Sequence, residues 1–482
     1  MLVCITKDTF IRTFNNDIGY IYNQLTKKDR IYDANGRFFL NQLTRQPQDI
    51  KTIVRNLSLI YPYANTDDLD NDFRDFISDL ESEGFVVSGE SEQDISASMP
   101  GFSYRGHDIK TMPRTDFSVL RDSMVTTEFL AGYFADCPQI FSLQFELTNR
   151  CNERCRHCYL PDSRNFRDID TSLAVSVLDQ LVDMGTLNVT FSGGECLLHP
   201  DFVQILKHAR EKDFSIAILS NITLLNDEII HSLKDANINS LQVSVYSMNP
   251  EEHDYITRLE GSHEKTIRNL ERLIEADIPV QISCPTMRST YRSYREVLKW
   301  AYSHGIKAYT DYIMMARTDS TTDNLINRLT LSETEKLLMD IVNYDIEYRN
   351  ALASGAEPRL TDPNDNLCGA GIDSMCIAVN GDFFPCSGFQ SYSLGNAYEN
   401  SVAEVWNNSE ALKKLRNIRW KNFPECLKCE AKPYCSMCMV RNLNETGSIF
   451  TVNKHFCDSA FLNMRVARER FMSEKSHSSS CD

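Results

Sequence analysis

The chain has 482 residues, 42% apolar and 24% charged, with 50 Lys plus Arg against 67 Asp plus Glu for a net charge of −17. This globular composition excludes wholesale disorder and fibrous folds, and the acidity excludes nonspecific binding to nucleic acid or anionic lipid, whose phosphates its field repels. No apolar run approaches the roughly 18 residues of a membrane helix, and MLVCITKDTF lacks the basic and apolar regions of a signal peptide, so a cytoplasmic chain of several domains is expected, with neither a membrane nor a nucleic-acid partner.

In chain order, residues 1–90 read as a small α+β unit. Ile18, Tyr20 and Tyr22 alternate, and Ile31 follows after a polar turn, which predicts a β-hairpin. Helical patterns follow at Phe38 to Leu43, at Ile50, Ile53, Val54, Leu57, and at Leu69, Phe73, Phe76, Ile77, Leu80. Gly84 stands where a helix C-cap would, and Phe85–Val87 reads as a closing strand. The order is that of a winged-helix-like module, without the basic recognition helix of a DNA binder. Residues 88–105 read as a polar linker, within a bridging region over 91–140. Residues 141–350 then repeat strand, turn and helix, with strands at Phe141–Leu147, Asn188–Ser192, Ser215–Leu219, Ser240–Val245, Val280–Ser283 and Lys307–Tyr312. Six βα units predict a parallel barrel or open barrel whose site lies at the C-terminal ends of the strands. Residues 351–465 read as an irregular metal-stapled domain, and 466–482 as a disordered tail.

Sixteen cysteines in a reducing compartment point to metal or redox chemistry rather than disulfides. Cys151, Cys155 and Cys158 form C-x3-C-x2-C directly after the first barrel strand. Three thiolates on one loop can hold three irons of a [4Fe–4S] cube and leave the fourth open; the alternative is a zinc site completed by His157. Ser192-Gly193-Gly194-Glu195 ends the second strand, Ser220-Asn221 the third and Ser244 the fourth, with Arg258 following in HDYITR. Further on come Cys368, Cys376 and Cys386, then Cys426, Cys429, Cys435 and Cys438, then Cys457. These eight divide into two cubes of four, and spacing alone would group 426, 429, 435 and 438.

The C-x3-C-x2-C loop followed by Tyr159, with GGE at the next strand end, resembles the radical S-adenosylmethionine (SAM) enzymes. That resemblance implies an α/β fold built on a partial (β/α)6 TIM-like barrel, and an open iron that chelates the methionine moiety of SAM. It also implies cofactor contacts from Tyr159, Gly193, Gly194, Glu195, Asn221, Ser244 and Arg258, Glu195 accepting a bond from the cofactor ammonium. Two glycines would let the backbone approach a ligand closely. The C-terminal region resembles the SPASM extension of peptide-modifying radical enzymes, an iron–sulfur domain. By that analogy Cys368, Cys376, Cys386 and Cys438 bind one auxiliary cluster and Cys426, Cys429, Cys435 and Cys457 the other, making three [4Fe–4S] clusters in all. The chain departs from the family at Cys196, where GGE is usually followed by Pro, at the C-x2-C of Cys435 and Cys438, where three intervening residues are common, and at Ser387, where sulfatase-maturing relatives carry Asp.

The N-terminal pattern resembles the precursor-recognition element of ribosomally made peptide natural products, the winged-helix fold of the pyrroloquinoline-quinone peptide chaperone. Such a module would bind a leader peptide as an added strand near Ile31–Asp33, with Tyr20 and Tyr22 lining the edge. Together the resemblances imply a maturase of a ribosomal precursor peptide: a low-potential donor such as flavodoxin or ferredoxin supplies electrons, a 5′-deoxyadenosyl radical abstracts hydrogen, and an oxidative thioether or C–C cross-link follows. Peptide epimerisation, with Cys284 as a candidate catalytic hydrogen donor, formylglycine-type oxidation, and a non-catalytic peptide-binding scaffold are the alternatives. Cys284 and Cys196 read equally as buried core thiols.

Overall fold

The computed structural model describes residues 1–15, 17–99, 117–161, 166–355 and 361–472. At the N-terminus, strands β1 (Leu2–Ile5), β2 (Thr9–Phe14), β3 (Ile18–Asn23) and β4 (Asp29–Tyr32) precede three helices, Ala34–Leu40, Ile50–Ile60 and Thr66–Ser82, with the short β5 (Gln48–Asp49) between the first two and β6 (Val86–Gly89) after the third. β3 and β4 form the expected hairpin, and β2 adds to it on the far side, so β4 is the outer strand of the antiparallel sheet β2-β3-β4. The closing strand β6 pairs instead with β1, in a second sheet β5-β1-β6. The helix faces are those the periodicity selects: Ile50, Ile53, Val54, Leu57, Leu69, Phe73, Ile77 and Leu80 are buried in one core with Val3, Ile5, Ile21 and Leu40. Half of the predicted linker is regular structure. β6 reaches Gly89, and Ser91 opens the helix Glu92–Ser98 through a reciprocal cap with Asp94; residues 100–105 lie outside the described residues.

Six parallel strands follow: β7 (Ser142–Thr148), β8 (Asn188–Gly193), β9 (Ser215–Ser220), β10 (Ser240–Ser244), β11 (Val280–Pro285) and β12 (Lys307–Asp311), with helices in every connection. They are hydrogen-bonded in sequence order, and β12 is a sheet edge, so the barrel is open. Leu143, Phe145 and Leu147 of β7 pack with helix residues Ala174, Val177 and Leu178, so by the period of two Gln144 and Glu146 face the lumen. The expected irregular C-terminal region begins by extending this sheet. β13 (Ser374–Ile377) pairs in parallel beside β7, and β14 (Asp382–Phe384) and β15 (Gly395–Asn396) continue antiparallel. Met375 and Ile377 bury in the barrel core, which is why a four-residue strand between cysteines holds there. The last helix, Lys454–Ala467, runs on into a wider helical turn at Arg468–Met472, so residues 466–472 of the predicted tail are ordered helix; 473–482 lie outside the described residues.

The N-terminal sheet is packed on the barrel. Phe14, Tyr20 and Phe134 bury together against Phe141, which precedes β7, with ring centroids 5.3–5.9 Å apart. Arg12 and Arg45 both reach Asp213, which follows the barrel helix Phe202–Glu211. Among the described residues no helix is long and apolar enough to cross a membrane.

Candidate functional site

The cysteine loop leaves β7 at Thr148 and is fixed from two sides. On one side the end of β8 turns against it: Gly194 N–H donates to Thr148 O at 2.7 Å and Glu195 N–H to Arg150 O at 2.8 Å. A Cβ on Gly193, whose φ is +129°, would lie 2.1 Å from Thr148 O, and one on Gly194 would lie 2.2 Å from Arg150 O. The glycine pair therefore permits a close approach of the GGE turn to the chain that carries the cysteines. On the other side Arg154 N–H donates to Thr257 O at 2.9 Å and Arg156 N–H to Ile256 O at 3.0 Å, at the end of the helix Pro250–Thr257. Arg150 closes the loop's base with two bonds to Asp168, at 2.9 and 2.7 Å.

This places Cys151, Cys155 and Cys158 around one point. Burial pushes the Cys151 thiol up to about 12, and the neighbouring charges of Glu195, Glu153 and Cys158 add to it. Burial likewise raises Cys155 far above the usual thiol value, with Glu153, Cys158 and Cys151 contributing. Two thiols, their ionisation opposed by burial and by a third neighbouring thiol, fit a cationic iron–sulfur group, since a bound cation stabilises the thiolates that burial disfavours. Among the described residues no three His, Cys, Asp or Glu side chains converge closely enough to hold a single metal ion. His157 stacks edge-on against Tyr246, centroids 5.0 Å apart.

The strand ends bring further residues to this loop. Glu195 is 1% exposed. Its carboxylate accepts from Ser220 Oγ at 2.7 Å, from the backbone of Asn221 at 2.7 Å and from the backbone of Leu197 at 3.0 Å, so it ties β8 to β9. Burial raises its pKa, against those donors. Asn221 Nδ2 donates to Asn152 Oδ1 at 3.0 Å and lies 4.0 Å from Cys151 Sγ. Ser244, at the end of β10, lies beside the Tyr246 hydroxyl. Arg258 is exposed, with a left-handed φ of +55°, directly after the residues that dock the cysteine loop. Tyr159 lies between the cysteine loop and the second cysteine region; it feels Glu146, Cys158 and Cys376 and neighbours Ser387. Sequence reasoning missed Tyr246 and Glu153, which meet Cys155 Sγ at 3.8 and 3.1 Å, and Glu146, which accepts from Gln390 at 2.8 Å. Glu153 stands within the cysteine motif at a position the motif leaves unspecified; Tyr246 and Glu146 belong to no motif, and only the order of strands around the lumen places them.

The other cysteines fall into two neighbourhoods. Cys438 and Cys368 both raise Cys386, Cys438 raises Cys368, and Cys386 raises Cys376, in each case after burial. Separately, Cys457 and Cys429 raise Cys426, and Cys457, Cys426 and Cys429 raise Cys435, which burial first brings up to about 11. The structure thus brings Cys438 beside Cys368 and Cys386, and Cys457 beside Cys426, Cys429 and Cys435. Cys196 is fully buried beside Glu195 and β9. Cys284 is fully buried in the barrel core with Val280 and Ile282, on the helix side of β11; its neighbours Gln281 and Ser283 take the lumen side.

Residues 145–301 match the radical SAM superfamily, and residues 368–430 match the iron–sulfur cluster-binding domain termed SPASM. The chain carries a radical SAM domain and a SPASM domain. These domains imply iron–sulfur clusters and SAM as cofactors. An AdoMet-dependent heme synthase of Methanosarcina barkeri is 26% identical over 335 residues, 63% of this chain and 93% of that protein. The antilisterial bacteriocin subtilosin biosynthesis protein AlbA of Bacillus subtilis is 28% identical over 314 residues, 64% of this chain and 69% of that protein. In fold, Streptococcus suis SuiB bound to precursor peptide SuiA is similar with a TM-score of 0.61 at 16% identity, over 92% of this chain and 97% of SuiB.

Proposed function

We propose that this radical SAM enzyme modifies a ribosomally made precursor peptide, forming an oxidative cross-link of thioether or C–C type. The observation that carries the reading is the N-terminal unit. The two sequence relatives cover less than two thirds of the chain, whereas the likeness in fold to SuiB, which was crystallised with its precursor peptide, extends over 92% of it. The outer strand β4 offers an edge beside Ile31 for a leader segment, in the manner of β-augmentation. Tyr20 does not line that edge: it is 4% exposed, against the barrel, and bonded to Asp29. Tyr22 is half-buried.

Cys151, Cys155 and Cys158 would hold the SAM-binding cluster. Gly193, Gly194, Glu195, Asn221, Ser244, Arg258 and Tyr159 would surround SAM. When bound, these groups supply an electron and a hydrogen-abstracting radical. The chain's own part is to position and to exclude water. Between neighbouring strands on the lumen side, Gln144 donates to Ser192 at 2.8 Å and Gln281 to Gln242 at 3.4 Å, giving polar walls that orient a peptide backbone. Cys368, Cys376, Cys386 and Cys438, and Cys426, Cys429, Cys435 and Cys457, would hold two auxiliary clusters. Four thiols each leave no iron open to a substrate sulfur, which favours an electron-accepting role. Epimerisation requires a hydrogen donor at the substrate, and Cys284 faces the core; the cross-link is therefore the better reading. An acidic low-potential protein such as flavodoxin or ferredoxin would deliver electrons.

The test is the intact mass of a short peptide encoded beside this gene after anaerobic co-expression. Loss of two hydrogens is expected. Deuterium uptake from deuterated water without that loss would replace cross-linking by epimerisation, and neither change would overturn the peptide reading.

A further inference from the structure

Tyr246 has no part in the family signature, yet it is the aromatic side chain built most closely into the cysteine loop. It stands two residues beyond β10 and is 4% exposed. Its ring is clamped between His157, centroids 5.0 Å apart, and His253, 5.2 Å apart, and it packs with Ile256, Met287 and Met314. Its backbone N–H donates to His253 Nδ1 at 3.4 Å. The hydroxyl therefore has one place to go. It lies beside the Ser244 side chain, and its own hydrogen is aimed at Cys155 Sγ, 3.8 Å away. A phenol is both donor and acceptor, so donating to Cys155 leaves its oxygen free to accept. On the next loop, Asn221 Nδ2 approaches Cys151 Sγ at 4.0 Å.

We propose that Tyr246 is a positioning residue that raises the reduction potential of the cluster on Cys151, Cys155 and Cys158 by donating its phenolic hydrogen to Cys155 Sγ. This rests on the reading that those three cysteines hold an iron–sulfur cluster. One-electron reduction adds negative charge that the ligating sulfurs share. A donor aimed at a sulfur stabilises the reduced form more than the oxidised one, and such bonds are among the determinants of cluster potential. The donor is fixed by ring packing, so it is in place before the electron arrives. Cys155 Sγ is also 3.1 Å from Glu153 Oε2, an acceptor whose charge opposes reduction; Tyr246 is the group that offsets it.

The experiment is an anaerobic redox titration of the full chain, reconstituted with iron and sulfide and followed by electron paramagnetic resonance, without SAM or peptide. Tyr246→Phe keeps the ring and removes only the hydroxyl. The expected result is a variant with wild-type iron and sulfide content whose midpoint falls. A three- to tenfold lower reduced-to-oxidised ratio at fixed potential is expected, tenfold being 59 mV for one electron. A fully loaded Tyr246→Phe chain with the wild-type midpoint would overturn the inference. If Tyr246→Phe does not load, Ser244→Ala decides: it keeps the phenol but removes the hydroxyl that stands beside it. A smaller fall of the same sign then supports the inference, and an unmoved midpoint overturns it. A wild-type chain that forms no cluster overturns both this inference and the reading beneath it, so the two failures are distinct.

Discussion

At the scale of single residues, the glycine pair shows how a motif can be right in position and different in cause. GGE was legible because it follows the cysteines at the next strand end. The close approach that glycine permits, however, is made to Thr148 O and Arg150 O of the cysteine loop. Gly194→Ala would set a methyl 2.2 Å from Arg150 O, a backbone atom with no freedom to give way, so the loop must shift. Gly194→Ala is expected to lower the iron bound on anaerobic reconstitution and to reduce thermal stability together. Gly132→Ala is the contrast. Gly132 lies within the helix Phe117–Asp136, and a Cβ there meets nothing within 4 Å, so removing a helical glycine should stabilise by about 0.5–1 kcal/mol. Equal effects of the two substitutions on iron content would contradict this account. Tyr246 was not legible for a related reason: it acts across a loop closure on Cys155, and a single sequence shows only neighbours along the chain; Glu153 lies between the cysteines, but spacing alone does not say which way its side chain turns.

Among elements, the long amphipathic helices of the N-terminal unit and the apolar barrel strands were readable from their periods, whereas β1, β2, β5 and β13 were not. β1, β5 and β13 are short, and all four are fixed by tertiary burial rather than by alternation. β2 (TFIRTF) is the instructive case. Phe10 and Phe14 are fully buried, but Arg12 between them also points to protein, where it meets Asp213, so no polar face marks the strand. β2 is nonetheless what joins the N-terminal sheet to the barrel, through Phe14 against Tyr20, Phe134 and Phe141. Phe14→Ala removes a fully buried ring from that junction and should cost about 3–5 kcal/mol. The expected signature is local: hydrogen-exchange protection falls in β2, β3 and β4 while β7 to β12 keep theirs. If the cost spreads evenly over both, the N-terminal unit and the barrel are one cooperative body, and a separable recognition unit has no support. In the separable case, a full-length peptide should lose turnover more than a truncated one that lacks its leader.

For the whole molecule, the organising fact is where the thiols stand relative to the fold. Eleven of the sixteen cysteines lie in three neighbourhoods, each drawn from segments far apart in sequence or from one tight loop. Spacing alone would have kept Cys438 with Cys435. The structure carries it across to Cys368 and Cys386, and brings Cys457, from the last helix, to Cys426, Cys429 and Cys435. Where such thiols share no cation, burial makes them resist ionisation. That gives a pH dependence with a definite sign. In the iron-free fold burial pushes Cys151 up to about 12, Cys386 and Cys435 up to about 11, from an ordinary value of 9.0. A group raised on folding contributes stability that is complete below the unfolded value and is lost as pH climbs through the folded one. The iron-free chain should therefore hold its melting temperature up to about pH 8.5 and lose it progressively between 9 and 12, because the unfolded chain ionises its thiols and the folded chain does not. The reconstituted chain, whose ligating sulfurs are already thiolates, should show a shallower fall over the same range. Melting curves of both forms across that range decide the matter: parallel slopes would mean that these thiols do not carry the iron.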